Sequence, residues 1–331
     1  MIRRLLAAAA AFSFLASVAN AQEFPEREML GVIMWGAGGA TDVVARGVTP
    51  AVEEALGKPI VMLNKSGGAG AISVAYVNAA PSDGYTLLYG AENPQLHGVM
   101  GLSKLDYSSF YPVNILGRGV AVVVARNDAP WTSFKELVED AQKRPGEIKM
   151  GSTGPGGLPM VVGALLNSVA PYQVTAVPFD GEGPGLTALQ GGHVDFMPAG
   201  ISAAVELIKG GKVKALAVIN AEPVESLPDV PPITKDFPDM AKYLPWGPFY
   251  GVFVKADTPD SVKAKLTEAF RKGAEAEAFT TLMANRGNIV MNISGAEADT
   301  FLKKWQSVTT WVLHDAGATK ASPEEFGIAR P

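Results

Sequence analysis

The sequence predicts an α/β protein of two lobes, each built on a mostly parallel β-sheet flanked by helices, with a ligand cleft between the lobes. The chain has 331 residues, which is long for a single hydrophobic core. Short apolar runs alternate with segments of helical periodicity, and this alternation occurs in two separate stretches. A proline-rich segment, 223–245, follows the second stretch and leads back to another apolar run. A chain that builds one lobe, crosses to a second and returns explains this order.

The first stretch contains three predicted strands separated by two predicted helices. The strands are 29–35, 59–63 and 85–89, and the helices are 42–56 and 71–80. Gly57 follows the first helix, and glycine commonly ends helices at this position. The order strand–helix–strand implies parallel pairing with right-handed crossovers.

The second stretch repeats the alternation, and more helices follow the return. Its predicted strands are 121–125, 148–151, 174–179, 194–197 and 213–219, and its helices are 134–143, 158–169, 185–190 and 201–208. The final part has predicted strands 250–254 and 288–292 and helices 260–273, 276–285 and 295–313. Crossings near 121–126 and 246–254 assign residues 22–124 and 248–331 to the first lobe and 125–247 to the second.

Residues 1–21 have the pattern of a secretory signal peptide. Two arginines precede an apolar run of 14 residues, 5–18, and a small-residue Ala-Asn-Ala sequence follows it. A membrane anchor is the alternative, but the run is shorter than the roughly 20 residues that span a bilayer. We expect cleavage near Ala21/Gln22 and a periplasmic mature chain that does not insert into the membrane.

Composition restricts the classes of function. Removal of the leader takes away two arginines and changes the formal net charge from −5 to −7, which argues against a nucleic acid or an anionic membrane as partner. The absence of cysteine excludes thiolate-bound zinc, iron–sulfur clusters and thiol catalysis. The three histidines lack metal-ligand spacing, and the zinc-protease, serine-hydrolase and P-loop motifs are missing. The sequence therefore predicts a binding protein without a cofactor or metal, not an enzyme.

Three glycine-rich loops lie between a predicted strand and a predicted helix, at 36–41, 152–157 and 181–184. In open α/β sheets, ligands bind beyond the carboxyl ends of the strands, where the next helix offers unpaired N–H groups. Two such loops from opposite lobes would clamp a carboxylate through backbone amides and hydroxyl groups. Each loop alone is also explained as a tight turn, so the prediction depends on loops from both lobes together.

The candidate ligand-binding residues lie in or beside these loops and strand ends. They are Trp35, Ala37, Gly38, Gly39, Thr41, Asp42, Asn93, Ser152, Thr153, Gly154, Phe179, Asp180, Gly181 and Gly200. Asp42 either meets a cationic ligand group or caps the helix that it begins. Asp180 contacts the ligand or forms an Asx-turn. Trp35 walls the pocket or belongs to the core, and Asn93 binds the ligand or caps a turn.

A Rossmann-like, dinucleotide-binding enzyme is the alternative function, because residues 32–41 resemble a Rossmann turn. That motif requires glycine at position 41, where this chain has Thr41. The second strand ends in Asn64, where a dinucleotide-binding protein has an acidic residue for the ribose. Export also removes the chain from the nicotinamide pool.

Short segments along nearly the whole mature chain, taken in their order and spacing, carry a family resemblance. They are Trp35–Asp42 with Arg46, Leu56–Pro59, Asn64 with Gly67 and Gly70, Ser82–Leu87, Gly151–Gly154, Val177–Phe179, Gly191–Asp195 and Leu227–Pro231. The chain resembles the periplasmic solute receptors of tripartite tricarboxylate transporters. The resemblance implies a hinge-closing, periplasmic-binding-protein-like fold whose loops 36–42 and 152–154 hold a carboxylate through amides and ordered water. It also implies integral-membrane permease subunits as partners, and we expect a monomer.

The chain departs from the family pattern at three places. Trp35 replaces a smaller aromatic residue, residues 179–183 replace a Tyr-Lys-Gly-type segment, and Pro159 stands where a polar residue often opens the helix. Asp180 therefore places an acid where a base is frequent. Our hypothesis is that Asp180 or Asp42 disfavours polyanions such as citrate or meets a ligand ammonium group.

Overall fold

The computed structural model describes residues 24–331, so the expected signal peptide lies outside the described residues. Within that range the strands, numbered β1 to β11, are Met29–Ile33, Ile60–Asn64, Thr86–Gly90, Phe110–Arg118, Ala121–Arg126, Lys149–Ser152, Thr175–Pro178, Phe196–Gly200, Val213–Ile219, Phe249–Lys255 and Ile289–Ile293. The α-helices, numbered α1 to α9, are Ala40–Leu56, Ala71–Ala79, Phe134–Lys143, Leu158–Val169, Glu182–Gln190, Ile201–Lys209, Asp260–Glu275, Glu277–Asn285 and Gly295–Asp315. Over residues 24–331, no helix combines the length and apolarity needed to cross a membrane.

The strands form two sheets. The six-stranded sheet has the order β11-β4-β10-β3-β1-β2, and the five-stranded sheet has the order β7-β6-β8-β5-β9. Pairing is parallel where a helix connects the strands, as for β1 with β2 and β3, and for β6 with β7 and β8. The other pairs are antiparallel, and each contains β4, β5 or β10. The two-lobed α/β fold is thus confirmed, but the sheets are mixed and not mostly parallel, because these three strands join the sheets without a crossover helix.

The chain passes between the sheets at two places that lie side by side. Residues 119–120 link β4 to β5, and residues 220–248 link β9 to β10. The N–H of Gly119 donates to the carbonyl of Pro248 at 2.9 Å, which ties the two links together. We call the six-stranded sheet with its helices the first lobe, and the five-stranded sheet with its helices the second lobe. The exact domain limits given above stay a prediction.

Two elements differ from the sequence prediction in ways that affect the site. The sequence pattern does not predict β4, because the strand is buried on both faces and contains Pro112. Helix α5 begins at Glu182, whereas the pattern places Glu182 in a turn and starts the helix at Gly185. Pro184 is compatible with the first turn of a helix, since no intrahelical partner is available there for an N–H group.

The hydrophobic core divides by sheet face, and both of its parts extend through the two lobes. Along β5, Val122 and Val124 belong to one cluster, and Val123 belongs to the other. The first cluster also contains Val48 of α1 and Leu186 of α5, which belong to different lobes. This alternation follows from the two-residue period of a strand. The lobes therefore share packing at the crossing strands, directly beneath the cleft.

Candidate ligand-binding site

A small, partly enclosed cavity lies between the two lobes, with about 340 Å³ of space between atoms that includes open solvent, and we call it the inner chamber. Its lining residues are Trp35, Gly39, Ala40, Thr41, Ala91, Glu92, Thr153, Leu158, Glu182, Pro248 and Tyr250. Three of them, Thr153, Leu158 and Glu182, come from the second lobe. This lining contains two carboxyl groups and no lysine, arginine or histidine. The inner chamber is therefore acidic in its side chains.

A wider and more open cavity, with about 1080 Å³ of space that includes open solvent, adjoins the inner chamber, and we call it the outer mouth. Its lining residues are Trp35, Gly67, Gly68, Ala69, Leu102, Thr153, Gly154, Pro155, Pro178, Phe179, Asp180 and Pro184. The two cavities share Trp35 and Thr153, so these two side chains stand at the passage between them. Asp180 is the one ionisable residue in the lining of the outer mouth.

Four helices begin at or beside the inner chamber. The helices are α1, α4, α5 and α6, and their N-cap residues are Gly39, Gly157, Gly181 and Gly200. Glycine has no side chain to cap a helix, so the first-turn N–H groups donate to other partners. Each N-terminus also carries a partial positive charge. Backbone dipoles therefore supply the positive potential that the side chains of the chamber lack.

The carboxylate of Glu182 connects the two lobes at these helix N-termini. It accepts hydrogen bonds from the N–H of Ala40 at 3.3 Å and from the N–H of Gly200 at 2.8 Å. Burial raises the pKa of Glu182, and the N–H groups of Gly200 and Ala40 act in the opposite direction by stabilising the charged form. The first turn of α1 in one lobe thus binds a carboxylate that belongs to the other lobe.

Glu92 and Tyr250 line the same chamber, and each has a side-chain oxygen that lacks a hydrogen bond to any described residue. They are 3% and 2% exposed, and neither Oε2 of Glu92 nor the hydroxyl of Tyr250 has a hydrogen-bond partner among the described residues. Burial raises the pKa of Glu92 to about 8, and the charge of Glu182 contributes to the rise. Burial and the charges of Glu182 and Glu92 also raise the pKa of Tyr250. In neutral solution Glu92 is therefore mainly protonated.

Hydrogen bonds and close contacts between loops hold the lobes together around the cleft. The N–H of Gly36 donates to the carbonyl of Asp180 at 2.9 Å, and the side-chain amide of Asn93 donates to the carbonyl of Gly156. A Cβ atom on Gly183 would lie 2.0 Å from the carbonyl oxygen of Ala37, so the loops approach too closely for any side chain there. The structure is therefore a closed arrangement of the two lobes.

The structure brings many of the sequence-predicted residues to the cleft. Trp35, Gly39, Thr41 and Thr153 line the inner chamber, and Trp35, Thr153, Gly154, Phe179 and Asp180 line the outer mouth. The remaining predicted residues line neither cavity: Ala37, Gly38, Asp42, Asn93, Ser152, Gly181 and Gly200.

Asp42 stabilises the loop before α1 and does not face the cleft. Its carboxylate accepts hydrogen bonds from the N–H of Gly38 at 2.9 Å, from Arg46 at 2.9 Å and from Asn64 at 2.8 Å. Asp42 is thus neither the N-cap, which is Gly39, nor a residue of the cavity lining; it lies in the first turn of α1 and bonds the preceding loop.

Other predicted residues outside the cavities form hydrogen bonds in the loops or lie where the two lobes approach closely. Ser152 accepts from the N–H of Gly154 at 3.2 Å, and Gly200 donates to Glu182. Gly181 has φ +135°, and a Cβ there would lie 2.8 Å from the backbone nitrogen of Gly36 in the other lobe. This position requires glycine because of both its backbone conformation and the close approach of the lobes.

Sequence reasoning missed the polar groups deepest in the site, Glu92, Glu182 and Tyr250, together with Ala40, Ala91, Leu158 and Pro248. Glu92 comes two residues after β3, and the strand-end rule that selected its neighbour Asn93 applies to it equally. Glu182 was not selected because its glycine and proline neighbours predict a turn there. Tyr250 lies on a predicted strand near the crossing between the lobes, and nothing in the sequence pattern of that strand indicates a binding site.

Comparison with known proteins now assigns the class. Residues 44–311 match the family model described as the tripartite tricarboxylate transporter family receptor, TctC. The chain therefore belongs to this family of solute-binding receptors. It is similar to a UPF0065 protein of Bordetella pertussis, with 28% identity over 319 residues, covering 96% of this chain and 97% of that protein.

Solved structures agree with this assignment. The structure of the periplasmic binding protein BugD is 28% identical, has a TM-score of 0.84 and is matched over 90% of this chain and 100% of its own. MatC of Rhodopseudomonas palustris, solved with bound malate, is 28% identical, with a TM-score of 0.78 and coverage of 86% and 100%. These similar proteins are binding proteins and not enzymes, and they give no support to the dinucleotide-binding alternative.

Proposed function

We propose that this receptor captures a small carboxylate-containing solute between its two lobes and delivers it to the membrane permease subunits of a tripartite tricarboxylate transporter. The observation that carries the proposal is the hydrogen bonding of Glu182, because the first turn of α1 already binds a carboxylate inside the cleft. Malate, the ligand in the MatC structure, belongs to the same chemical class.

In this proposal, a ligand carboxylate binds at the N-termini of α1 and α4, which approach the inner chamber from opposite lobes. The hydroxyl groups of Thr41 and Thr153 line the chamber and are suited to donate to the same carboxylate. A helix N-terminus stabilises an anion by roughly 0.3–2 kcal/mol, and burial of the pair increases the effect. Because the two helices belong to different lobes, an anion that binds both favours closure.

Closure also explains the position of Trp35 at the passage between the two cavities. An aromatic side chain there contacts the apolar part of a ligand and separates the inner chamber from the outer mouth. Exclusion of water strengthens the interaction of the anion with the helix N-termini. Recognition through amides and hydroxyl groups accounts for the absence of basic side chains from the lining of the chamber.

We also propose that the protein is exported to the periplasm, loses its leader near Ala21/Gln22 and acts as a monomer. The pattern of residues 1–21 and the family membership support this part of the proposal. N-terminal sequencing of the protein from a periplasmic fraction tests the cleavage position. Light scattering after size-exclusion chromatography tests the monomer, and a stable dimer would contradict it.

The test of the binding function is a thermal-shift screen of residues 22–331 against small carboxylates, amino acids, aromatic acids and NAD. A ligand at about 100 times its Kd adds roughly 2.7 kcal/mol to the free energy of unfolding, which is visible as a shift of a few degrees. We expect a shift with carboxylate-containing compounds, reduced in Thr153→Val and retained in Thr300→Val, since Thr300 is exposed on α9. A shift with NAD alone, or with no carboxylate-containing compound, would contradict the proposal.

A further inference from the structure

The inner chamber contains polar atoms that the protein itself leaves without partners. Oε2 of Glu92 and the hydroxyl of Tyr250 both lack a hydrogen bond among the described residues, although both side chains are at least 97% buried. An unpaired buried polar group destabilises the folded state, because it has lost its hydrogen bonds to water. Two such groups in one cavity therefore indicate that a third group, supplied by a ligand, completes their hydrogen bonding.

The hydroxyl of Tyr250 lies close to the carboxylate of Glu182. The hydroxyl of Tyr250 and Oε2 of Glu182 lie 3.4 Å and 3.5 Å from the position that a Cβ atom on Gly200 would occupy. All three side chains line the same chamber. They form a cluster of two carboxyl groups and one phenol, which we call the acidic subsite.

We propose that the acidic subsite binds the ammonium group of the ligand, so that the captured solute is a carboxylate that also carries an amino group. This inference rests on the proposed function, because the solute carboxylate binds at the α1 and α4 N-termini. An ammonium group has three N–H donors, and the acidic subsite offers oxygen acceptors on three side chains.

Charge favours this ligand group over a second carboxylate. Glu182 already places one carboxylate at the N-terminus of α1, and no basic side chain lines the chamber. A second ligand carboxylate within the acidic subsite, away from the N–H groups of α1 and α4, would meet the charge of Glu182 in a buried site, where screening is weak. An ammonium group supplies the counter-charge that Glu182 lacks, and that Glu92 requires once it loses its proton.

Binding of a cation at this subsite is coupled to proton release. The titratable groups that face Glu92 are Glu182 on α5, Tyr250 on β10 and Tyr107 before β4. Glu92 holds a proton in neutral solution because burial and the charge of Glu182 raise its pKa to about 8. A neighbouring ammonium group lowers this pKa, so that Glu92 loses its proton as the ligand binds.

The experiment is calorimetric titration of the mature protein with four matched pairs of compounds: L-aspartate with succinate, L-glutamate with glutarate, β-alanine with propionate, and 4-aminobutanoate with butanoate. We expect at least one amino compound to bind tenfold or more tightly than its deaminated partner. At pH 7, titrations in buffers of different ionisation heat should show close to one proton released per amino compound bound. Release should be absent in Glu92→Gln, which carries no titrating group at this position.

The variants separate recognition from folding. Glu92→Gln should weaken binding of the amino compound at least tenfold, and Tyr250→Phe should weaken it severalfold, while the exposed control Glu139→Gln on α3 leaves it unchanged. Equal or tighter binding of the deaminated compound in every pair would overturn the ammonium subsite and leave the carboxylate receptor standing. Failure of all four amino compounds to bind would also overturn the ammonium subsite, whereas the carboxylate receptor is contradicted only if the full thermal-shift panel shows no carboxylate-containing ligand. The comparison within each pair uses the wild-type protein, so it does not depend on the folding of any variant.

Discussion

The inner chamber and the outer mouth are parts of one cleft, but they differ in the chemistry that they present. The inner chamber is lined by buried side chains, including Glu92, Glu182 and Tyr250. The outer mouth is lined mainly by glycine, proline and apolar residues, and its one ionisable group, on Asp180, is exposed. Buried charges interact much more strongly than exposed ones, because water and salt screen the latter. From this difference we expect ligand discrimination in the inner chamber and lobe closure in the loops around it.

The largest effect that we expect is on the pH dependence of the free energy of unfolding. It tests whether Glu92 of the inner chamber is buried away from water. The pKa of Glu92 is raised from an ordinary 4.5 to about 8, so the folded protein keeps a proton that the unfolded chain releases. This group therefore destabilises the folded state progressively as the pH rises from about 4.5 to about 8, and not below that window. The total should reach roughly 3–5 kcal/mol in the free energy of unfolding.

Denaturant unfolding from pH 4 to pH 9 measures this effect as the difference between the wild-type protein and Glu92→Gln. Glutamine resembles the protonated acid and does not titrate, so the variant should gain stability relative to the wild type as the pH rises. The exposed control Glu139→Gln should follow the wild-type profile. Parallel profiles for wild type and Glu92→Gln would show that Glu92 is not held in a desolvated chamber.

Closure of the loops is tested by Gly183→Ala. A Cβ atom on Gly183 would lie 2.0 Å from the carbonyl oxygen of Ala37 in the opposite lobe, and a backbone oxygen is not easily displaced. The closed arrangement should therefore be prevented, and ligand affinity should fall by about 100-fold, or about 2.7 kcal/mol. Each lobe should keep its stability, since alanine is favourable within a helix.

Gly163→Ala is the matched control for Gly183→Ala. Gly163 also lies in a helix of the second lobe, and a Cβ atom there meets nothing closer than 3.7 Å. Titration of both variants with the same ligand should show lost affinity in Gly183→Ala alone. Wild-type affinity in Gly183→Ala would mean that the ligand does not require the closed loops.

The sequence predicted the outer mouth better than the inner chamber, and the reason is physical. Glycine-rich strand-to-helix loops are visible as a local pattern, so the sequence analysis selects Thr153, Gly154 and Asp180, which line the outer mouth. Glu92 and Glu182 meet only because two lobes close on each other, and Glu182 comes 90 positions after Glu92 in the chain. A local sequence pattern cannot indicate a contact between residues so far apart in the chain.

The same limit applies to the fold. Helices such as α4 and α6 follow directly from their periodicity and their glycine boundaries. Strand β4 has no visible alternation because it is buried on both faces. The antiparallel pairs at β4, β5 and β10 depend on tertiary crossings, which explains why the mixed character of the sheets was missed. Composition and local order determine the class of fold, whereas long-range contacts determine its strand directions.

A smaller effect is expected when the connection between the two lobes is weakened in Glu182→Gln. The carboxylate accepts from both Ala40 and Gly200, while a glutamine side chain has one acceptor oxygen and would leave one N–H group unpaired. The free energy of unfolding should fall by about 2 kcal/mol. Small-angle scattering should show a larger radius of gyration as the lobes open. Unchanged stability and radius, equal to those of Glu139→Gln, would show that Glu182 does not hold the lobes together.

The smallest effect belongs to Asp180, the exposed acid of the outer mouth. Asp180→Asn removes a negative charge near the path of an incoming anion, so citrate should bind roughly two- to threefold more tightly at low ionic strength. The gain should disappear at about 0.5 M salt, where exposed charges are screened, and uncharged compounds should show no change. Unchanged citrate affinity at low salt would remove Asp180 from selectivity and leave the inner acids as the source of discrimination. A gain in citrate affinity as large as the loss of amino-compound affinity in Glu92→Gln would contradict the difference between the two cavities. The exposed acid of the outer mouth would then affect binding as much as the buried acid of the inner chamber.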